Sequence, residues 1–294
     1  MGFVLGFIGA MTALLLVTFW YGSTKRRREV EVFAFIERIG LPMTDPVYGR
    51  VDRRLRARST GSTIGALIAL CAFAVLVAFT KEHWPIGVAG ACTTGILAAA
   101  LSLGGAVSAL GQFTSPQPGA PRLARAHSPS LADYVHPGWV FGAAGLAVVS
   151  AALSVTLFVG LTPAAREGGL PLGAVLALGV LAVAGIAAAT ALSSMLLAVP
   201  QPSSSELELQ WDDALRAYAL RDLWIASIAL SAAAFVAGLS WLFDYDSPYV
   251  FVGVIVGLSP LLLLNLPVSR RSQWRLWQPS SASASESSRA DADN

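Results

Sequence analysis

The feature that most constrains this chain is a set of seven apolar stretches, each about 20 residues or longer and almost free of charge. They run from about 3 to 22, 61 to 80, 86 to 111, 139 to 161, 171 to 199, 223 to 243 and 248 to 267. A helix that crosses a bilayer needs roughly 20 predominantly apolar residues at about 1.5 Å each, so every stretch qualifies. The third and fifth are long enough to tilt or to project beyond the hydrocarbon. The expected fold is an all-α integral membrane protein, a bundle of seven transmembrane helices covering residues 1–278. The Ser-, Ala- and Asp-rich residues 279–294 lack the apolar surface to fold and are expected to be a disordered cytoplasmic tail. Composition agrees with lipid as the main solvent: 55% of the residues are apolar and 13% charged, with a mean hydropathy of +0.62. A soluble domain carries about 25% charge.

Orientation follows from where the basic residues fall, because short loops rich in Lys and Arg stay in the cytoplasm. The connections 23–60, 112–138, 200–222 and 268–294 hold ten, two, two and four Lys plus Arg, while the alternate connections hold only Lys81 and Arg166. The N-terminus is therefore expected outside and the C-terminus in the cytoplasm, in the cell membrane of a bacterium. Arginine outnumbers lysine 18 to 2, the bias of a GC-rich genome. The first stretch lacks the basic start and the small-residue cleavage site of a secretory signal; it ends in Trp20 and Tyr21, followed by Lys25, Arg26, Arg27 and Arg28. The Met-Gly start has Gly6 where acylation needs Ser or Thr.

After the first helix the chain reads as three hairpins, each preceded by a cytoplasmic segment, with starts spaced by roughly 80 residues. Aligning Tyr48 with Trp211 also pairs Arg53 with Arg216, Arg58 with Arg221, Ala66 with Ala229 and Leu67 with Leu230, whereas the middle unit fits poorly.

The inner segments hold the candidate interaction residues. Asp45 before Pro46 is a helix start, and the residues behind it include Arg50, Arg53, Arg54, Arg56 and Arg58. A basic juxtamembrane helix is expected there, either fixing topology or contacting anionic lipid head groups. Arg270, Arg271 and Arg275 are given the same lipid contact, with Trp274 and Trp277 as interfacial anchors. Residues 29–41 mix Phe33, Phe35 and Ile36 with Glu31, Glu37 and Arg38, a pattern for the interface or for docking on another chain. Residues 205–223 form the clearest amphipathic helix: Ser205 and Glu208 have capping-box spacing, and Asp212 sits four residues before Arg216. Leu207, Trp211, Leu215 and Tyr218 recur on its apolar face as a candidate partner-docking surface, or as a face that packs on the chain's own bundle. Prolines 116, 118, 121, 129 and 137 make the middle inner connection a loop.

Chemistry is sparse. The spans have no ionisable residue in their central parts, which argues against a proton pump, a voltage sensor and carboxylate-coupled transport. The last span has no lysine for a retinal Schiff base. His83, His127 and His136 lie in loops, and no HExxH, Gly-x-Ser-x-Gly or phosphate-cradling loop occurs. Cys71 and Cys92 sit singly in apolar stretches, as packing residues. Small residues at GxxxG spacing, Gly2 to Gly6 and Gly253 to Gly257, permit close helix contact, while Gly104 and Gly105 with Ser102 and Ser108 can loosen the third helix. Ser259 and Pro260 can kink the seventh.

No catalytic residue, cofactor site or metal site is expected, and the chain is not expected to be an enzyme or to bind nucleic acid. The leading expectation is a transport component, a permease-like subunit working with a cytoplasmic ATPase. The alternative is a membrane scaffold or regulatory protein that recruits cytoplasmic partners. A homo-oligomer fits either.

Overall fold

A computed structural model describes residues 24–80, 86–113, 129–160, 172–199, 201 and 205–243, with isolated positions between 6 and 20 and residues 255, 276 and 277. Every regular element among them is a helix: α1 (Lys25–Ile39), α2 (Asp45–Thr80), α3 (Ile86–Phe113), α4 (Leu131–Tyr134), α5 (Pro137–Phe158), α6 (Leu172–Ala198) and α7 (Glu206–Leu242). Five of them, α2, α3, α5, α6 and α7, are long and apolar enough to cross a membrane. The expected first and seventh spans and the tail beyond Trp277 lie mostly or wholly outside the described residues.

The expected boundaries of α3, α5 and α6 are met within about three residues. The two that differ do so in one way. The juxtamembrane helix expected after Asp45 and the span expected at 61–80 are a single 36-residue helix, α2. The amphipathic segment expected at 205–223 and the span at 223–243 are a single 37-residue helix, α7. Nothing in either segment stops a helix: neither has a proline after its first turn, and a switch from charged to apolar side chains leaves the backbone hydrogen bonds untouched. Each is about 55 Å long against about 30 Å of hydrocarbon, so each projects by about 25 Å on one side. The charged halves are both N-terminal, and three ion pairs join them side by side, so α2 and α7 run parallel and project on the same side.

In the apolar half, α7 is the central rod, packed against α3, α5 and α6, while α2 packs on the far side of α3. Lipid gives no hydrophobic drive between spanning helices, so close packing through small residues must supply the cohesion. Gly61 and Gly65 of α2 meet Gly104 and Ala100 of α3 so closely that a Cβ on Gly61 would collide with the Gly104 carbonyl. At Gly95 a Cβ would stand 2.9 Å from the Ala233 Cβ and 3.1 Å from the Ala229 carbonyl of α7. Gly104, read from the sequence as a point of weakness, is thus a point of contact. Cys92 is buried here, its thiol 3.7 Å from the Ala233 carbonyl, and Ser150 of α5 donates to the Ser231 carbonyl of α7 at 2.8 Å. Cys71 is exposed, on an outer surface of α2 that also shows Ile64, Ile68 and Val75.

Local caps set the entry points. Ser205 accepts the Glu208 amide at the start of α7, and His136 Nδ1 accepts the Gly138 amide in front of α5, whose first residue is Pro137. Ser130 and Asp133 close a capping box on α4. Gly40, at φ 75°, ends α1 in the left-handed region where a side chain would be strained, and the link to Asp45 turns the chain back on itself.

Candidate functional site

The charged halves of α2 and α7, with α1 laid over them, make the most distinctive chemical arrangement in the molecule. Along one face of α2, Arg50, Arg54 and Arg58 recur every fourth residue, which stacks them on successive turns. Opposite them on α7 stand Glu208, Asp212 and Asp222. Arg50 Nη2 donates to Glu208 Oε1 at 2.9 Å, Arg54 to Asp212, and Arg58 Nε to Asp222 Oδ2 at 2.6 Å. Asp212 and Asp222 are almost wholly buried, at 4% and 0% exposure. Charges taken that far from water persist only when paired closely, so these contacts fix the register between two helices distant in sequence.

The network extends within α7. Arg216 lies 4.0 Å from the second oxygen of Asp212, the i to i+4 pair expected from the sequence, and donates to the Val199 carbonyl at 3.0 Å. The guanidinium of Arg58 stands 4.2 Å over the Tyr218 ring, with Arg221 at 5.0 Å. Asp213, at 1% exposure, accepts from the Tyr134 hydroxyl at 2.8 Å, Gln201 Nε2 at 3.0 Å and Trp277 Nε1 at 3.0 Å. One carboxylate thus draws α4, the link before α7 and the region after the last expected span onto the same helix. Trp277, read as an interfacial anchor, is hydrogen-bonded to this carboxylate.

The apolar faces are likewise spent internally. Val32, Phe35 and Ile39 of α1 are buried with Val47 and Val51 of α2 and with Trp211 and Leu215 of α7. The Phe35 ring lies 6.1 Å from Trp211 and 5.5 Å from Tyr218, and Trp211 Nε1 donates to the Pro42 carbonyl at 3.0 Å. Of the candidate docking residues, Trp211 and Leu215 are therefore covered by this chain's own α1, and Leu207 and Tyr218 are half-buried beside them. The physical reason is that α1 carries its own apolar stripe, Val32, Phe35 and Ile39, and the short link to α2 holds that stripe beside α7, where burying both faces takes apolar surface out of water.

The candidate lipid-contacting arginines divide. Arg50, Arg54 and Arg58 are engaged by α7; Arg56 is exposed and pairs with Asp52 one turn earlier at 2.7 Å; Arg53 is exposed. Arg270, Arg271 and Arg275 lie outside the described residues. Sequence reasoning passed over Glu208, Asp212, Asp213 and Asp222 as a set, and Tyr134 and Gln201 with them. A signal existed: three arginines four apart on one helix and two acids four apart on another are complementary ladders. Gly61 and Gly65 were also passed over, although they share the spacing singled out elsewhere. Among the described residues no group of His, Cys, Asp and Glu is arranged to hold a metal ion. No protein-family profile, curated protein or solved structure matches this chain.

Proposed function

We propose that this chain is a membrane scaffold or regulatory protein: a seven-span anchor, N-terminus outside, that carries a rigid helical platform on the cytoplasmic face for other proteins to assemble on. The observation that carries this reading is the pair of unbroken helices α2 and α7, cross-braced by carboxylates that have almost no contact with solvent. Such a brace holds one geometry, because separating the helices would strand charges in a site where water cannot replace the lost partner. The permease-like reading, the leading expectation from the sequence, rests on large inner connections with helical elements and on spans rich in small residues, and of those connections residues 205–223 are the clearest helical element an ATPase could engage. That segment is the first half of α7, and its apolar face is occupied by α1. The same observation moves any recruitment surface outward, to the exposed face of α1 with Val30 and Phe33, where Phe33 lies 6.5 Å from the Tyr48 ring.

The test is a mild-detergent purification of the tagged protein from its native membrane, with mass spectrometry of what stays bound. The scaffold reading expects a stoichiometric cytoplasmic protein that is retained by the wild type and lost from a Val30→Ser/Phe33→Ser variant of unchanged helicity. Retention of a stoichiometric ATPase that survives that double substitution favours the permease subunit instead, and recovery of the protein alone removes the recruitment function.

A further inference from the structure

Helix α1 turns one face inward, with Val32, Phe35 and Ile39, and leaves a second face outward. On that outer face Arg26, Val30, Phe33 and Glu37 follow at spacings of four, three and four, the repeat that lines side chains into one seam along a helix. Val30 and Phe33 are 56% and 62% exposed, and Arg26 and Glu37 are exposed at the two ends. Among the described residues neither end charge has an ion-pair partner, whereas Glu29, Glu31 and Arg38 on the flanks have contacts of their own. The seam is therefore apolar at its centre and carries one uncommitted charge of each sign at its ends.

Geometry argues against two occupants of that seam. Phe33 lies 6.5 Å from the Tyr48 ring, and Tyr48 precedes Gly61, near where α2 becomes apolar, by thirteen residues, or about 20 Å of helix. The head-group layer is about 5 to 8 Å thick on each side of the hydrocarbon, so Phe33 stands in water and out of reach of lipid. A second copy of this chain fails on charge. Two copies in one bilayer are related by an axis along its normal, and α1 is folded back along α2 by the link at Gly40. Their α1 helices would run parallel and set Arg26 against Arg26 and Glu37 against Glu37. A helix from a different protein is free of that symmetry.

We propose that this seam, Arg26, Val30, Phe33 and Glu37, docks one amphipathic helix of a cytoplasmic protein. Apolar side chains three or four residues apart on that helix pack on Val30, Phe33 and the edge of Tyr48, with a carboxylate opposite Arg26 and a basic side chain opposite Glu37. The proposal names the partner class for the recruitment surface and rests on that reading. Phe35 and Ile39 hold α1 against Trp211 from the inner side, so the seam is presented on a helix already in place and little ordering is left to oppose binding.

The experiment replaces Phe33 by the photo-cross-linker p-benzoylphenylalanine in the full-length protein in its native membrane and maps the cross-linked peptide by mass spectrometry. The expected product joins position 33 to a segment of another protein with two apolar residues three or four apart between an acidic and a basic residue. An Arg26→Glu/Glu37→Lys variant turns two attractions into two repulsions, so co-purification of that protein should weaken about tenfold. It should return when the acid and base of the partner segment are exchanged. A cross-link to lipid or to a second copy, no cross-link, a segment without that pattern, or retention indifferent to the charge exchange overturns the seam. If a stoichiometric partner is still retained in those cases, only the seam falls; recovery of the protein alone removes the recruitment reading with it. Arg26 and Glu37 are exposed, so the variant is expected to keep wild-type helicity; should it fail to fold, the pattern of the cross-linked segment decides alone.

Discussion

Asp222 is the residue on which the account presses hardest. It is fully buried, it accepts from Arg58 at 2.6 Å, and its other oxygen stands 4.0 Å from Arg221 Nε. Removing one partner of a buried pair leaves the other stranded, so Asp222→Ala is expected to cost about 3 to 5 kcal/mol, read as a lowered unfolding midpoint in detergent. Arg56→Ala removes a pair that is half exposed, and the expected loss is below about 1 kcal/mol. The glycines give a second contrast. A side chain at Gly61 meets backbone of α3 on arrival, so Gly61→Val is expected to cost about 1 to 3 kcal/mol by overpacking. At Gly145 of α5 nothing lies within 4 Å of an added Cβ. Gly145→Ala should therefore stay within about 1 kcal/mol of neutral, on the stabilising side if helix propensity decides. Equal effects at the two glycines would contradict the packing assigned to α2 and α3.

Among the elements, α1 is the one whose role rests on few side chains. Phe35 and Ile39 hold it against Trp211, and Phe35→Ala is expected to cost about 3 to 5 kcal/mol and to move Trp211 toward water. Proteolysis in the 40–44 link and accessibility of Trp211 to a quencher are the readouts, and both should rise together. The helices themselves were legible in the sequence because length and hydropathy suffice to find them, and α3, α5 and α6 fall where expected. The continuity of α2 and α7 was not, because a change in polarity near residues 60 and 223 looks like a boundary while the backbone has no reason to stop. Asp213 was invisible for another reason: its donors, Tyr134, Gln201 and Trp277, are too far apart in the chain for any local pattern to join them. The helices α2 and α7, which hold the aligned Tyr48 and Trp211, are 36 and 37 residues long. The corresponding helix of the middle unit, α5, has 22 residues and no projecting half.

At the scale of the whole molecule, cohesion comes from two different sources stacked end to end. In the apolar half it is contact between small residues in a medium that offers no hydrophobic drive; in the projecting half it is burial of Trp211, Phe35 and the carboxylates in a medium that does. Because α2 and α7 pass through both, the ion pairs between them brace the projecting half against the spanning one. The central claim is that this brace couples two segments more than 150 residues apart, and hydrogen exchange tests it most directly. In the wild type, amides of residues 210–225 should be protected without a soft point near 223. In an Asp212→Asn variant, exchange should quicken in residues 45–58 and 206–222 together, while residues 139–158 of α5 keep their rates. Faster exchange confined to residues 206–222, with 45–58 unchanged, would contradict the account.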